Sequence, residues 1–266
     1  IHQGRANGIK LVARLLAQAA EKHRFELVGF EGGNKRNAIP REAWAVLAVD
    51  PARVRALAAF FKKAFEDIRV EFQAVETGAK VAFEKLEGAK ECPMDAASRK
   101  ALIGLLVGLP HGVVAMHPEI PGLTETSTNL AIVHCEKKQA QIICSTRSSI
   151  ASALEATRGV LKAVCDLAGA RIELHNGYPG WMPNLQSSLL AKLKEIYRAT
   201  AGKEPGVVAI HAGLECGIIG EKYPGMEMIS FGPTLEHPHS PDERVNIGSV
   251  GRFWEFIRAA LAGLSQ

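Results

Sequence analysis

Eight residues, Asn176-Gly177-Tyr178-Pro179-Gly180-Trp181-Met182-Pro183, interrupt the chain with two glycines, two prolines and two aromatic side chains. Proline fixes φ and removes a backbone donor, and glycine has no side chain to pack, so neither a regular helix nor an interior strand runs through such a stretch. The break divides the 266 residues into 1–176 and 177–266 and marks a crossing between domains.

Before the break, Ile9, Val12, Leu15, Leu16 and Ala19 recur at helical spacing and predict a first helix. Strands are expected over 25–30 and 43–49, with the turn Glu31-Gly32-Gly33-Asn34 after the first of them. Asp50-Pro51 then opens a helix, Asp as the cap and Pro at the first helical position. Its apolar face is Val54, Leu57, Ala58, Phe61 and Phe65. Alternation through Val70, Phe72 and Val75, then Val81 and Phe83, predicts a further strand region. The same kinds of element recur: a helix over 96–107, strands over 112–116, 130–135 and 140–144, a helix carrying Leu154, Leu161, Val164 and Leu167, and a short strand over 171–174. Two successive α+β units of this kind resemble a pair of split βαβ sandwiches.

Beyond the break the order is helix (Leu189, Leu193, Ile196 and Tyr197, ending at Gly202), strand over 207–210, short helix, strand over 228–231, loop, helix. The last helix carries Val250, Phe253, Trp254, Ile257, Leu261 and Leu264 at helical spacing. Helices alternating with short apolar strands imply an α/β arrangement with a parallel or mixed sheet.

A chain with 47% hydrophobic and 23% charged residues has enough apolar material for a real core. Its net charge of +4 is mild and its cations are scattered among acids, which argues against nucleic acid or membrane as a partner. No apolar run reaches the roughly 18 residues of a membrane span. Cys92, Cys135, Cys144, Cys165 and Cys216 form no CxxC pair, and an odd count in apolar surroundings points to reduced, buried thiols of a cytoplasmic protein. Ile1 stands where an initiator Met would, and the chain begins as if cut from a longer one.

Four segments carry chemistry. Glu236-His237-Pro238-His239-Ser240-Pro241-Asp242-Glu243 lies between an expected strand and a helix; imidazole there could bind zinc with carboxylates orienting it, or the segment is a polar surface loop. His211-Ala212-Gly213-Leu214-Glu215-Cys216-Gly217 leaves a strand end, where Glu215 could receive a substrate ammonium or cap the next helix. Cys216 beside it reads as a nucleophile or, better, as a small packed thiol. Arg147 at a strand end could grip a carboxylate or oxyanion, or serve in a surface ion pair. The polar stretch Asn34 to Glu42 reads as turn chemistry feeding a strand.

Taken together and in this order, the motifs resemble the Xaa-His dipeptidases, the carnosinase-type di-zinc metallopeptidases. The resemblance rests on Gly32-Gly33 with Arg36-Asn37-Ala38-Ile39-Pro40-Arg41-Glu42-Ala43, on Glu125-Thr126-Ser127 with Asn129, and on Arg147-Ser148. It continues through Gly177-Tyr178-Pro179-Gly180-Trp181, Ile210 to Gly217, and Tyr223-Pro224 with Met226, Met228 and Ser230. Gly232-Pro233-Thr234, Pro238-His239-Ser240-Pro241-Asp242-Glu243, Val245 and Gly251 complete it, so that it covers essentially the whole chain.

The resemblance implies a fold of α/β and α+β character: a lid and dimerisation domain of split-βαβ type over 1–176, then the C-terminal part of a zinc-peptidase α/β catalytic domain over 177–266. It implies a homodimer through the lid, a dipeptide substrate such as β-alanyl-histidine, and two Zn2+ per intact subunit, with Co2+ or Mn2+ as substitutes. His239 matches the family's last metal ligand. Arg147 and Glu215 match residues that hold the substrate's carboxylate or oxyanion and its amino group; Asn37 and Asn129 are further substrate-binding candidates. The family's other ligands and its general-base Glu fall before Ile1, so the chain alone is expected to be inactive. Two rivals stand beside this reading: a non-catalytic binding or dimerisation module on the same scaffold, and a related tripeptidase or deacylase.

Overall fold

Helix α1 (Gly8–Lys22) opens the computed structural model, which describes residues 1–86, 92–136, 139–175, 177, 179–182, 184–208, 215–237 and 242–265. The chain separates into two units, Ile1–Asn176 and Gly177–Gln266, and each is described by itself.

In the first unit, the cap expected at Asp50 is in place, and Asn7 and Asp95 cap two further helices. Asn7 Oδ1 accepts the Lys10 N–H at 3.2 Å and starts α1. Asp50 Oδ1 accepts from Ala52 N at 2.9 Å, with Pro51 beginning a short 3-10 turn that runs into α2 (Val54–Phe72). Asp95 Oδ1 accepts from both Ala97 N and Ser98 N at 2.9 Å and starts α3 (Ala96–Gly108). Each such cap satisfies donors that a helix cannot pair internally. Helix α3 has no basic residue in its last turn. Lys10 of α1 supplies one across space, donating Nζ to Val107 O at 2.7 Å and to Leu109 O, where a cation suits the negative helix end. Burial lowers the Lys10 ammonium to about 8.

The sheet is antiparallel throughout and is organised around one long strand, β4 (Thr124–Cys135). One edge of β4 pairs with β5 (Ala140–Ser148) from end to end. The other edge is shared: β3 (Gly112–Met116) takes its first half and β1 (Glu26–Gly32) takes Val133 and His134. Strand β2 (Ala43–Ala48) completes the order outside β1. With α4 (Ala151–Leu167), the helices and one face of this sheet enclose a single core. Ile9, Leu16, Leu27, Phe30, Leu106, Leu130 and Val133 are fully buried in it. Each is worth about 1.5–3 kcal/mol of transfer free energy.

The expected strands over 70–75, 81–83 and 171–174 are not formed. Alternation was the only signal, and alternation without a neighbouring strand leaves backbone groups unpaired. Helix α2 instead continues to Phe72, because Phe61, Phe65 and Ile68 keep its buried face running. Phe83 stacks on Phe61 from irregular chain, ring centres 5.9 Å apart. Arg171 and Glu173 meet in an ion pair of 2.9 Å on a segment outside the sheet.

The second unit holds α5 (Ser188–Ala201), α6 (Glu215–Lys222), a two-residue ribbon of β6 (Leu235–Glu236) with β7 (Arg244–Val245), and α7 (Ile247–Leu264). Helix α5 ends as its sequence implies, with Gly202 at φ +67°. Of the expected strand over 207–210, Val207 and Val208 are irregular and the rest lies outside the described residues; 228–231 is irregular too. Helix α7 faces α5 through Phe256, which meets Tyr197 at 5.2 Å, and through Gly263, whose bare Cα lets Ile196 approach. The predicted stripe is therefore rotated: Trp254 and Leu261 are 61% and 65% exposed, while Ala260 is buried. Helix α7 is apolar on more than one face, and spacing alone cannot choose among them. No helix among the described residues is long and apolar enough to cross a membrane.

Candidate substrate-binding face

The first half of β4 reads Thr124-Glu125-Thr126-Ser127-Thr128-Asn129, an unusually polar run for a central strand. Its inward side chains are satisfied by β5: Thr126 Oγ1 and Ser148 Oγ lie 2.8 Å apart, and Thr128 Oγ1 and Thr146 Oγ1 3.0 Å. Neighbouring positions point the other way. In register, Ser127 faces Arg147 and Asn129 faces Ser145, so these four share the face away from the helices. Asn129 and Arg147 are diagonal neighbours on it, positions that lie roughly 7–8 Å apart in such a ladder. Arg147 is exposed, at the end of β5 and just before α4.

The polar loop between β1 and β2 folds over this face. Gly33, at φ +69°, sits so close to β4 that a Cβ there would come within 1.9 Å of Ala131 O. Asn129, only 8% exposed, donates Nδ2 to Ala38 O at 2.7 Å and towards Arg36 O at 3.4 Å. Those carbonyls flank Asn37, which is exposed on the turn. Sequence-named Asn37, Asn129 and Arg147 thus come together on one side of one sheet.

Two residues that the sequence reading passed over complete the arrangement. Between the stretches bonded by β3 and by β1, the free edge of β4 is filled by Asn7, whose Nδ2 donates to Leu130 O at 2.8 Å. The same nitrogen lies 3.2 Å from His111 Nδ1. Because Asn7 Oδ1 is committed to its helix cap, Nδ2 must be the donor, and His111 accepts through an unprotonated Nδ1. Burial, then the charge of Lys10, pushes His111 down to about 4, with an interaction with Asn129 opposing this. Nothing in the sequence pairs Asn7 with His111.

A pH dependence follows. The unfolded chain protonates this imidazole near its ordinary 6.5, whereas the folded chain does so only near 4. The unfolded state therefore binds the extra proton between these values, and stability falls as pH drops from about 6.5 towards 4. His111→Gln removes that contribution. The melting-temperature advantage of the parent over the variant should narrow across this window; a constant difference would refute the assignment.

In the second unit, Glu215 is the exposed first residue of α6. Burial raises the Cys216 thiol, the wrong direction for a nucleophile, and the residue is half-buried. Gly217 packs on the backbone, a Cβ there falling 2.3 Å from Pro179 O. His211 and His239 lie outside the described residues. The segment bearing His239 is flanked by the β6–β7 ribbon, tied by Arg244 to Glu236 at 2.6 Å and by buried Ser249, whose Oγ accepts from Thr234 N at 2.9 Å. His237 has φ +53°, a left-handed conformation. Among the described residues no three His, Cys, Asp or Glu side chains converge as a metal site would require. The five cysteines are unpaired; Cys165 is buried, but Cys92 is exposed, contrary to the expectation of buried thiols throughout.

Residues 46–262 match the family described as peptidase family M20/M25/M40, and residues 1–75 match the peptidase dimerisation domain. The cytosol non-specific dipeptidase of Escherichia coli (strain K12) is 38% identical over 261 residues, which is 98% of this chain and 54% of that protein. The crystal structure of aminoacylhistidine dipeptidase from Vibrio alginolyticus superposes with a TM-score of 0.89 at 39% identity, covering 98% of this chain and 53% of that one. The chain spans about half the length of these relatives. A polar, loop-covered sheet face preceding a second, helix-rich unit is thus found in a chain whose sequence and backbone both follow dipeptidases from end to end, and the chain belongs to peptidase family M20/M25/M40.

Proposed function

We propose that a polypeptide of the relatives' length carrying this chain is a metal-dependent dipeptidase acting on Xaa-His dipeptides such as β-alanyl-histidine. In this reading, 1–176 is the lid and dimerisation part and 177–266 the C-terminal portion of the catalytic domain. The observation that carries it is the placement of Asn37, Asn129 and Arg147 together on the face of the sheet opposite the first unit's core. A guanidinium and an exposed amide there are suited to a carboxylate or a developing oxyanion, both oxygen-rich and anionic. Glu215 is assigned to the substrate's ammonium and His239 to the metal, Zn2+ in the first place, on the strength of the resemblance. A homodimer through the first unit is favoured by the outer edges of β2 and β5, which pair with no further strand among the described residues. A cytoplasmic location accords with unpaired cysteines and with the name of the Escherichia coli relative.

The test is turnover by the zinc-loaded, relative-length protein. β-Alanyl-histidine should be hydrolysed in preference to tripeptides and N-acyl amino acids, and sedimentation should give a dimer. Preference for an acyl amino acid would move the protein to the deacylases; no turnover of any of the three would favour the non-catalytic module.

A further inference from the structure

We propose that Asn129 is a positioning residue, holding the turn that carries Asn37 at a fixed height above the β4–β5 face so that Asn37 and Arg147 meet one substrate together. The inference rests on the reading of Asn37 and Arg147 as substrate contacts and adds a part that neither performs.

Three observations carry it. Asn129 is 8% exposed, so a substrate cannot reach its side chain as it reaches Asn37. Its amide nitrogen is used on the loop, with Ala38 O at 2.7 Å and Arg36 O at 3.4 Å, one carbonyl on each side of Asn37. Its Oδ1 is buried and makes no hydrogen bond of ordinary geometry among the described residues, although the His111 imidazole interacts with the Asn129 side chain. An unsatisfied buried acceptor opposes folding, and the next residues along the strand, Leu130 and Ala131, are apolar and fully buried. Apolar packing gives no reason to keep an amide at this position; a donor aimed at two loop carbonyls does, beside the interaction with His111.

The rest of the loop explains why a tether is needed at its crown. Its base is closed by Gly33 N donating to Glu42 O at 3.4 Å, and its returning limb by Gly8 N donating to Pro40 O at 2.9 Å. Residues 34–38 lie beyond both bonds and are exposed. Within them, Ala38 N reaches Lys35 O at 3.3 Å, a bond that shapes the turn without fixing its height over the sheet. Asn129 joins this crown to the strand that also pairs with Arg147's strand. A misplacement of about 1 Å in a substrate-positioning group costs on the order of a hundredfold in rate.

The experiment compares Asn129→Leu and the isosteric Asn129→Asp in the zinc-loaded, relative-length protein with β-alanyl-histidine. Asn129→Leu should lower kcat/KM about a hundredfold, speed amide exchange in residues 34–42, and leave exchange in the sheet and helices unchanged. Asn129→Asp gives the readout that a merely structural role would not move. Its neutral acid can donate to Ala38 O, but its carboxylate repels both carbonyls. Its kcat/KM relative to the parent should therefore rise as pH falls from 7 to 5. Parent-like kcat/KM in Asn129→Leu, or an Asn129→Asp ratio that does not vary with pH, would overturn the proposal. If the parent itself turns over no dipeptide, the functional reading fails; exchange in 34–42 then decides positioning alone, faster exchange in Asn129→Leu supporting it and unchanged exchange overturning it.

Discussion

Replacing Gly33 by alanine should destabilise the first unit by about 2–5 kcal/mol, the sum of left-handed backbone strain and a forced overlap. The added methyl would sit 1.9 Å from Ala131 O and 3.1 Å from Pro40 Cγ, and the first of these is backbone in the middle of a central strand. Neither β4 nor the loop can yield without breaking the ladder to β5 or the bonds that close the loop. Gly169 is the matched control. Its φ is +68° against +69° for Gly33, yet nothing lies within 4 Å of the Cβ it would acquire. Gly169→Ala should therefore cost only the conformational part, about 1–2 kcal/mol. Thermal unfolding of the two variants separates strain from clash. Equal melting temperatures would mean that the loop does not press on β4 as described.

Arg147→Ala, in the relative-length protein, should lower kcat by a factor of about 10²–10³, or about 2.7–4 kcal/mol, with KM rising far less. The asymmetry is expected if the guanidinium meets charge that develops mainly in the transition state. Stability should barely change, because Arg147 is exposed and its loss opens no cavity; a surface ion pair is worth about 0–1 kcal/mol. Arg147→Lys retains the charge without the planar fork and should fall between the two. An unchanged kcat would leave Arg147 a surface cation at the head of α4. A collapse in melting temperature would make it structural.

How far the site was legible can be followed residue by residue. Taken alone, Arg147 read as an anion contact or a surface ion pair and the Asn34–Glu42 stretch as turn chemistry; the resemblance is what made Arg147 and Asn37 substrate-binding candidates. Their shared face was not legible. It depends on the pairing of Ser127 with Arg147 and of Asn129 with Ser145, and a shift of one residue would have sent both functional side chains into the core. Asn129 was named for its motif, but its burial under the loop and its two carbonyl partners are visible only in three dimensions. Asn7 and His111, 104 residues apart, had no sequence signal connecting them at all.

Helices were read well because their signals are local. Asp50, Asp95, Ser187 and Asn246 each cap the helix they precede, and capping and 3.6-residue spacing are settled within one or two turns. Strand formation is not local. Val81, Ile172 and Val207 sit in apolar stretches as suggestive as β1, yet none is in a strand, because a strand exists only where a neighbour at about 4.8 Å satisfies its backbone. The same rule governs α7, whose several apolar faces were plain in the sequence while the choice of face awaited Tyr197 and Ile196 of α5. The chain's own residues thus determined where helices form, which loop must be polar, and the family pattern, though not that α2 runs on to Phe72. Tertiary pairing decided which strands exist, which side of β4 meets the loop, and that a buried amide holds it, since each depends on hydrogen-bond partners distant in sequence.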